Sequence, residues 1–188
     1  MERTFEALLV NQCAPTLTGM KPASLFRYQG RVPGEARRLA ECWARQLAPR
    51  GLTLRVLKTC RVTGACMLLL YREDWLRRIL AERSNRRFLE QQGYPADADL
   101  PQLLERLSDR LCLEQDYPHE IGLFLGYPLK DVVGFIENRG RNYTFCGYWK
   151  AYGDPAAARR RFAQYRRCTE MCSRRFRQGA TILDLIAA

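Results

Sequence analysis

The spacing of apolar positions changes period several times along the chain, and each change predicts an element. Phe5, Leu8 and Leu9 fall on one side of a short helix over residues 2–12. Pro15, Gly19 and Pro22 then punctuate CAPTLTGMKP as a loop, and Ser24 to Tyr28 reads as a short strand. From about Gly34 to Ala48 the period returns to 3.6. Leu39, Cys42, Trp43 and Leu47 share a face, and Pro49 with Gly51 end the helix.

Leu52, Leu54 and Val56 alternate in LTLRVLKTC, while ACMLLLYR is apolar almost throughout. With RVTGA between them the two predict an antiparallel hairpin whose second strand is central and covered on both faces. Three helices follow over 73–82, 84–92 and 100–111, with Ser84 as a cap and Gly93 as a stop. HEIGLFLG reads as a buried strand. Pro128 starts and Gly140 ends the helix of PLKDVVGFIENRG, and NYTFCGYWKAYG reads as a further strand or extended segment.

Residues 155–178 form the most regular pattern. Phe162, Tyr165, Cys168, Thr169, Cys172 and Phe176 occupy one arc, with Arg159, Arg160, Arg166, Arg167, Arg174 and Arg177 opposite. TILDLIAA closes the chain as a short docking helix. Strands interleaved with helices, plus a hairpin, predict one α+β domain over 1–188. Its mixed or antiparallel sheet would have about four to five strands covered by helices. A doubly wound α/β sheet is the alternative, but no strand–GxGxxG–helix phosphate loop supports it.

Composition narrows the class. A 188-residue chain can bury a true core. No apolar run reaches the roughly 18 residues of a membrane span, and Glu2 and Glu6 argue against a secretory signal. A cytoplasmic protein is expected, in which the eight cysteines are free thiols. The net charge of +11, mostly arginine, favours a polyanionic partner.

Three blocks are compositionally unusual: CAPTLTGMKPASLF at 13–26, HEIGLFLGYPLKDVVGFIENRG at 119–140 and CGYWKAYGD at 146–154, followed by FAQYRRC at 162–168. In these blocks the chain resembles an uncharacterised bacterial family, domain of unknown function 3793. The resemblance implies a single cytosolic domain, usually of anaerobic Gram-positive bacteria. It also implies genes sometimes placed beside flavodoxin or iron-uptake genes, hence a flavodoxin-like partner. It brings no established activity and no catalytic residues.

The candidate chemistry sits in those blocks. Cys13, Lys21, His119, Glu120, Cys146, Tyr148, Trp149 and Lys150 would line a site for a small ligand in a redox or iron-related setting. Cys13, His119 and Cys146 would be ligands for iron, haem or zinc if they met. His119 can also be a strand-edge histidine fixing a loop, and Cys146 a buried thiol in an aromatic strand. Glu120, next to His119 in a strand, would face the other way. A Cys-dependent enzyme needs Cys146 as nucleophile within hydrogen-bond reach of His119 as base. The third reading is a nucleic-acid-binding module. It uses Arg159, Arg160, Arg166, Arg167, Arg174 and Arg177 on phosphates, with Tyr148, Trp149 and Tyr152 stacking on bases. Cys168 and Cys172, four apart on the apolar arc, can chelate a metal or simply fill the core.

Overall fold

Alternating and continuous apolar runs pair as their periods predict. A computed structural model describes residues 4–113 and 116–186, grouped into two units. Residues 2–3 of the predicted first helix and 187–188 of the last lie outside the described residues.

The first unit joins the chain up to Asp74 with the residues from Arg167 onward. It holds α1 (Phe5–Leu17), β1 (Ala23–Tyr28), α2 (Glu35–Leu47), β2 (Leu52–Thr59) and β3 (Cys66–Arg72). The three strands are antiparallel in the order β1-β3-β2. The apolar strand β3 is therefore central, and Leu68, Leu69 and Leu70 are completely buried. Phe26 and Val56 flank Leu68 across the two ladders. Phe5, Leu9, Leu17, Phe26, Leu47 and Leu52 build the core beside them. Ile182, the cap of the short 3-10 turn Leu183–Leu185, and Leu185, its last residue, close it, as the docking reading expected.

Helix α1 runs five residues beyond its predicted end and carries Pro15 inside it. What stops it is Gly19, in the left-handed region at φ 74°. The Gly19 amide donates to the Thr16 carbonyl and the Met20 amide to the Pro15 carbonyl, a Schellman ending. Arg72 adds its guanidinium to the exposed end, donating to the Thr16 and Leu17 carbonyls at 3.0 and 2.8 Å.

The second unit spans Trp75–Arg166. Helix α3 (Glu73–Ala81) leads into it, followed by α4 (Arg83–Gln91), α5 (Leu100–Leu113), α6 (Ile121–Phe124) and α7 (Leu129–Glu137). A small hairpin, β4 (Phe145–Cys146) with β5 (Lys150–Ala151), precedes α8 (Pro155–Arg177), which ends in the first unit. The fold is α+β, and the five strands among the described residues divide into sheets of three and two rather than forming one. The cap of α4 is Glu82, not Ser84.

HEIGLFLG is a helical turn, not a strand. Gly126 at φ 78° ends it in the same way as Gly19 ends α1, with the Tyr127 amide bonded to the Gly122 carbonyl. The ending of α7 differs from expectation in one residue: Arg139 takes the first left-handed position at φ 51°, with Gly140 behind it.

The hairpin is clamped onto these helices. The Asp131 carboxylate, on α7, accepts hydrogen bonds from the Tyr152 and Gly153 amides at 2.8 and 3.1 Å. Rings then press where side chains are missing. A methyl carbon at Gly122 would lie 2.7 Å from Trp149 Cζ2, and one at Gly134 would lie 2.5 Å from Tyr152 Cγ. The Tyr152 contact is with the root of the ring, which cannot swing aside. Gly134→Ala should therefore cost about 1–3 kcal/mol of stability by overpacking. Urea denaturation of wild type and variant measures it, and an unchanged midpoint would contradict the clamp.

Candidate functional site

In the second unit, His119, Trp149 and Lys150 meet around Phe135. The His119 ring lies 4.7 Å from Phe135, and Trp149 lies 5.3 Å from it. Trp149 also stacks on Tyr127 at 5.0 Å. Lys150 Nζ donates to the Gly140 carbonyl at 2.7 Å and sits over the Tyr143 and Phe135 rings, 5.0 and 5.8 Å from their centres. Lys150 thus ties the hairpin to the end of α7. The Trp149 indole N–H and the Tyr152 hydroxyl are buried with no hydrogen-bond partner among the described residues.

Glu120 is taken up inside the protein. It is 1% exposed, and its Oε1 lies 2.8 Å from both the Arg110 Nε and the Tyr94 hydroxyl. Burial, and then the nearby Glu120 carboxylate, push the Tyr94 phenol up, so it remains a neutral donor. In the helical turn, Glu120 faces inward from the residue just before α6, not from the opposite face of a strand. Nothing in the spacing of Tyr94, Arg110 and Glu120 announces this triad.

Cys13 and Lys21 lie in the first unit. Cys13 is not loop-borne: it is on α1, fully buried, with its thiol pushed up by that burial. Lys21, beside it and 7% exposed, has its amine lowered to about 8 by desolvation, an effect that the Cys13 charge opposes. At neutral pH the pair is an ammonium and a neutral thiol.

Cys146 is exposed on β4, with its thiol free of any disulfide. Among the described residues, no three of His, Cys, Asp and Glu are grouped to hold a metal ion.

Helix α8 keeps the division that its sequence predicts. Ala158, Phe162, Tyr165, Cys168 and Cys172 are buried, while Arg159, Arg160, Arg166, Arg167, Arg174 and Arg177 are exposed. At 100° per residue these six arginines lie within an arc of about 120°. Glu170, the helix's one acidic residue, falls within the same arc. Arg159 lies over the Phe145 ring at 5.2 Å. Tyr148, 46% exposed, packs its ring 5.7 Å from Phe162 and 5.8 Å from Tyr165, at the edge of the helix. Arg161 and Arg175 extend the charge beyond the six predicted positions.

The fold and this helix define an α+β protein with a solvent-facing arginine surface. A model of the family described as Protein of unknown function (DUF3793) matches residues 9–186. The chain belongs to that family. No curated protein and no solved structure matches it. Among the described residues, no helix is long and apolar enough to cross a membrane.

The buried lysine makes a testable prediction. Its pKa in the folded protein lies below the unfolded value of 10.5, so below about pH 8 the folded state carries the full cost of a buried ammonium. Above about pH 8 the folded state sheds that proton first, and stability rises with pH. Above 9.0 Cys13 works in the opposite direction, because its thiol ionises first in the unfolded chain. From pH 8 to 9, wild type should therefore gain about 1 kcal/mol relative to Lys21→Met. Urea midpoints at the two pH values check this. Parallel shifts in both proteins would contradict it.

Proposed function

We propose that the protein is a non-catalytic nucleic-acid-binding module that works through the arginine arc of α8. The observation that carries this reading is the exposure of all six arginines opposite an apolar arc that is already buried. Arginine presents a planar fork that can hold a phosphate by two hydrogen bonds, and a row of such forks follows a backbone of regularly spaced charges. The 23 residues of α8 extend about 34 Å, and the major groove of B-form DNA, about 12 Å wide, admits a helix. Tyr148 offers a ring at the side of the same helix on which an unpaired base can stack.

An anionic lipid surface is a poorer fit. Helices that lie in a membrane interface bury their apolar face in it, and here that face is occupied by the protein interior. The small-ligand reading has less support: Glu120 is bonded to Arg110 and Tyr94, and Lys150 to Gly140. The metal reading lacks a ligand set among the described residues.

Binding to a fluorescent oligonucleotide should be strong at low salt and fall steeply as salt rises. Engagement of six phosphates gives a log–log slope of about −5. Reversing Arg159, Arg160, Arg166 and Arg167 to glutamate should abolish binding with the circular-dichroism spectrum unchanged. Retained affinity in a folded variant would exclude α8 as the surface.

A further inference from the structure

The apolar arc of α8 contains a pair of thiols that packing alone leaves unaccounted for. Cys168 and Cys172 are one helical turn apart, and 4% and 1% exposed. The Thr18 hydroxyl, at the end of α1, lies 3.1 Å from the Cys168 sulfur. The Cys168 sulfur against that hydroxyl, with the second thiol one turn on, makes a soft, polar spot in a core that also holds Leu9, Leu17 and Ile182.

Helix geometry decides what such a pair can do. Residues four apart on a helix hold their β-carbons about 5–6 Å apart, whereas a disulfide needs about 3.5–4.5 Å. The pair cannot close a disulfide without unwinding α8, but it can bridge through one interposed atom. Zinc is a poor candidate, because its structural sites need four ligands, and no third His, Cys, Asp or Glu completes a group here among the described residues. Thiolates select monovalent copper, a d¹⁰ ion that two sulfurs in line satisfy.

We propose that Cys168 and Cys172 form a two-coordinate site for a soft monovalent metal ion, copper(I), held across one turn of α8. Binding exchanges the two S–H bonds for two S–Cu bonds and releases two protons, with no change in the oxidation state of metal or sulfur. The bis-thiolate complex carries one negative charge. Arg175, three residues on from Cys172, carries a positive charge that can offset it, and the Thr18 hydroxyl lies against the Cys168 sulfur. Thr18 is half-buried and is followed by exposed Gly19 and Met20, so the sulfurs lie one side chain below the surface.

The test uses the full chain, reduced and kept free of oxygen, titrated with copper(I) against a chromogenic copper(I) chelator. Wild type and Cys60→Ser should each hold one equivalent at chelator concentrations that strip adventitious thiol-bound copper. Cys168→Ser and Cys172→Ser should each lose that equivalent while keeping the wild-type circular-dichroism spectrum. Thr18→Val, which leaves both sulfurs in place, should weaken binding by about tenfold. X-ray absorption of the loaded protein should show two sulfur neighbours and no nitrogen. Retention of the equivalent by both serine variants, or no retained equivalent in wild type, would overturn the site and leave the pair as core packing.

Discussion

Everything that α8 offers to solvent depends on the burial of its other side. Phe162, Tyr165, Cys168 and Cys172 are each less than a tenth exposed, and the two aromatics alone are worth about 1.5–3 kcal/mol apiece. That anchoring fixes the rotation of the helix about its own axis. The arginines opposite cannot turn inward without drawing those rings into water, so a row of cations stays directed at solvent. The interior sets the surface.

The unusual sequence blocks have a comparably local cause. CAPTLTGMKP is a helix ending: Gly19 turns the chain, Arg72 covers the last carbonyls, and Pro15 accepts the amides that follow. The second block is two short helices separated by another glycine ending, and the third is a hairpin laid over them. Gly122 and Gly134 lie where Trp149 and Tyr152 rest, and Asp131 accepts the hairpin's amides. These residues hold a small hairpin against two helices. His119, Trp149 and Lys150 do gather around one ring, but Lys150 is already bonded within the protein.

Periodicity made the large elements legible. The hairpin of β2 and β3, the central place of β3 and the two faces of α8 follow from side-chain spacing alone. The departures from expectation have separate local causes. Pro15 looked like a breaker, yet it falls in the last turn of α1, where the helix is about to end. HEIGLFLG looked like a strand because apolar runs of that length suit either state; Gly126, placed to end a helix, was the discriminating signal. The engagement of Glu120 was not legible at all, since Arg110 and Tyr94 approach it only through the fold. Six arginines on one arc needed no such long-range information.

The most direct examination of the nucleic-acid reading is a nuclear magnetic resonance titration of isotope-labelled protein with a short oligonucleotide, following backbone amides and arginine side-chain N–H groups. The account predicts that the largest shifts concentrate on the exposed arginines between Arg159 and Arg177 and on Tyr148, and recede as salt is added. Shifts centred on the hairpin and α7, or no shifts at low salt, would contradict it.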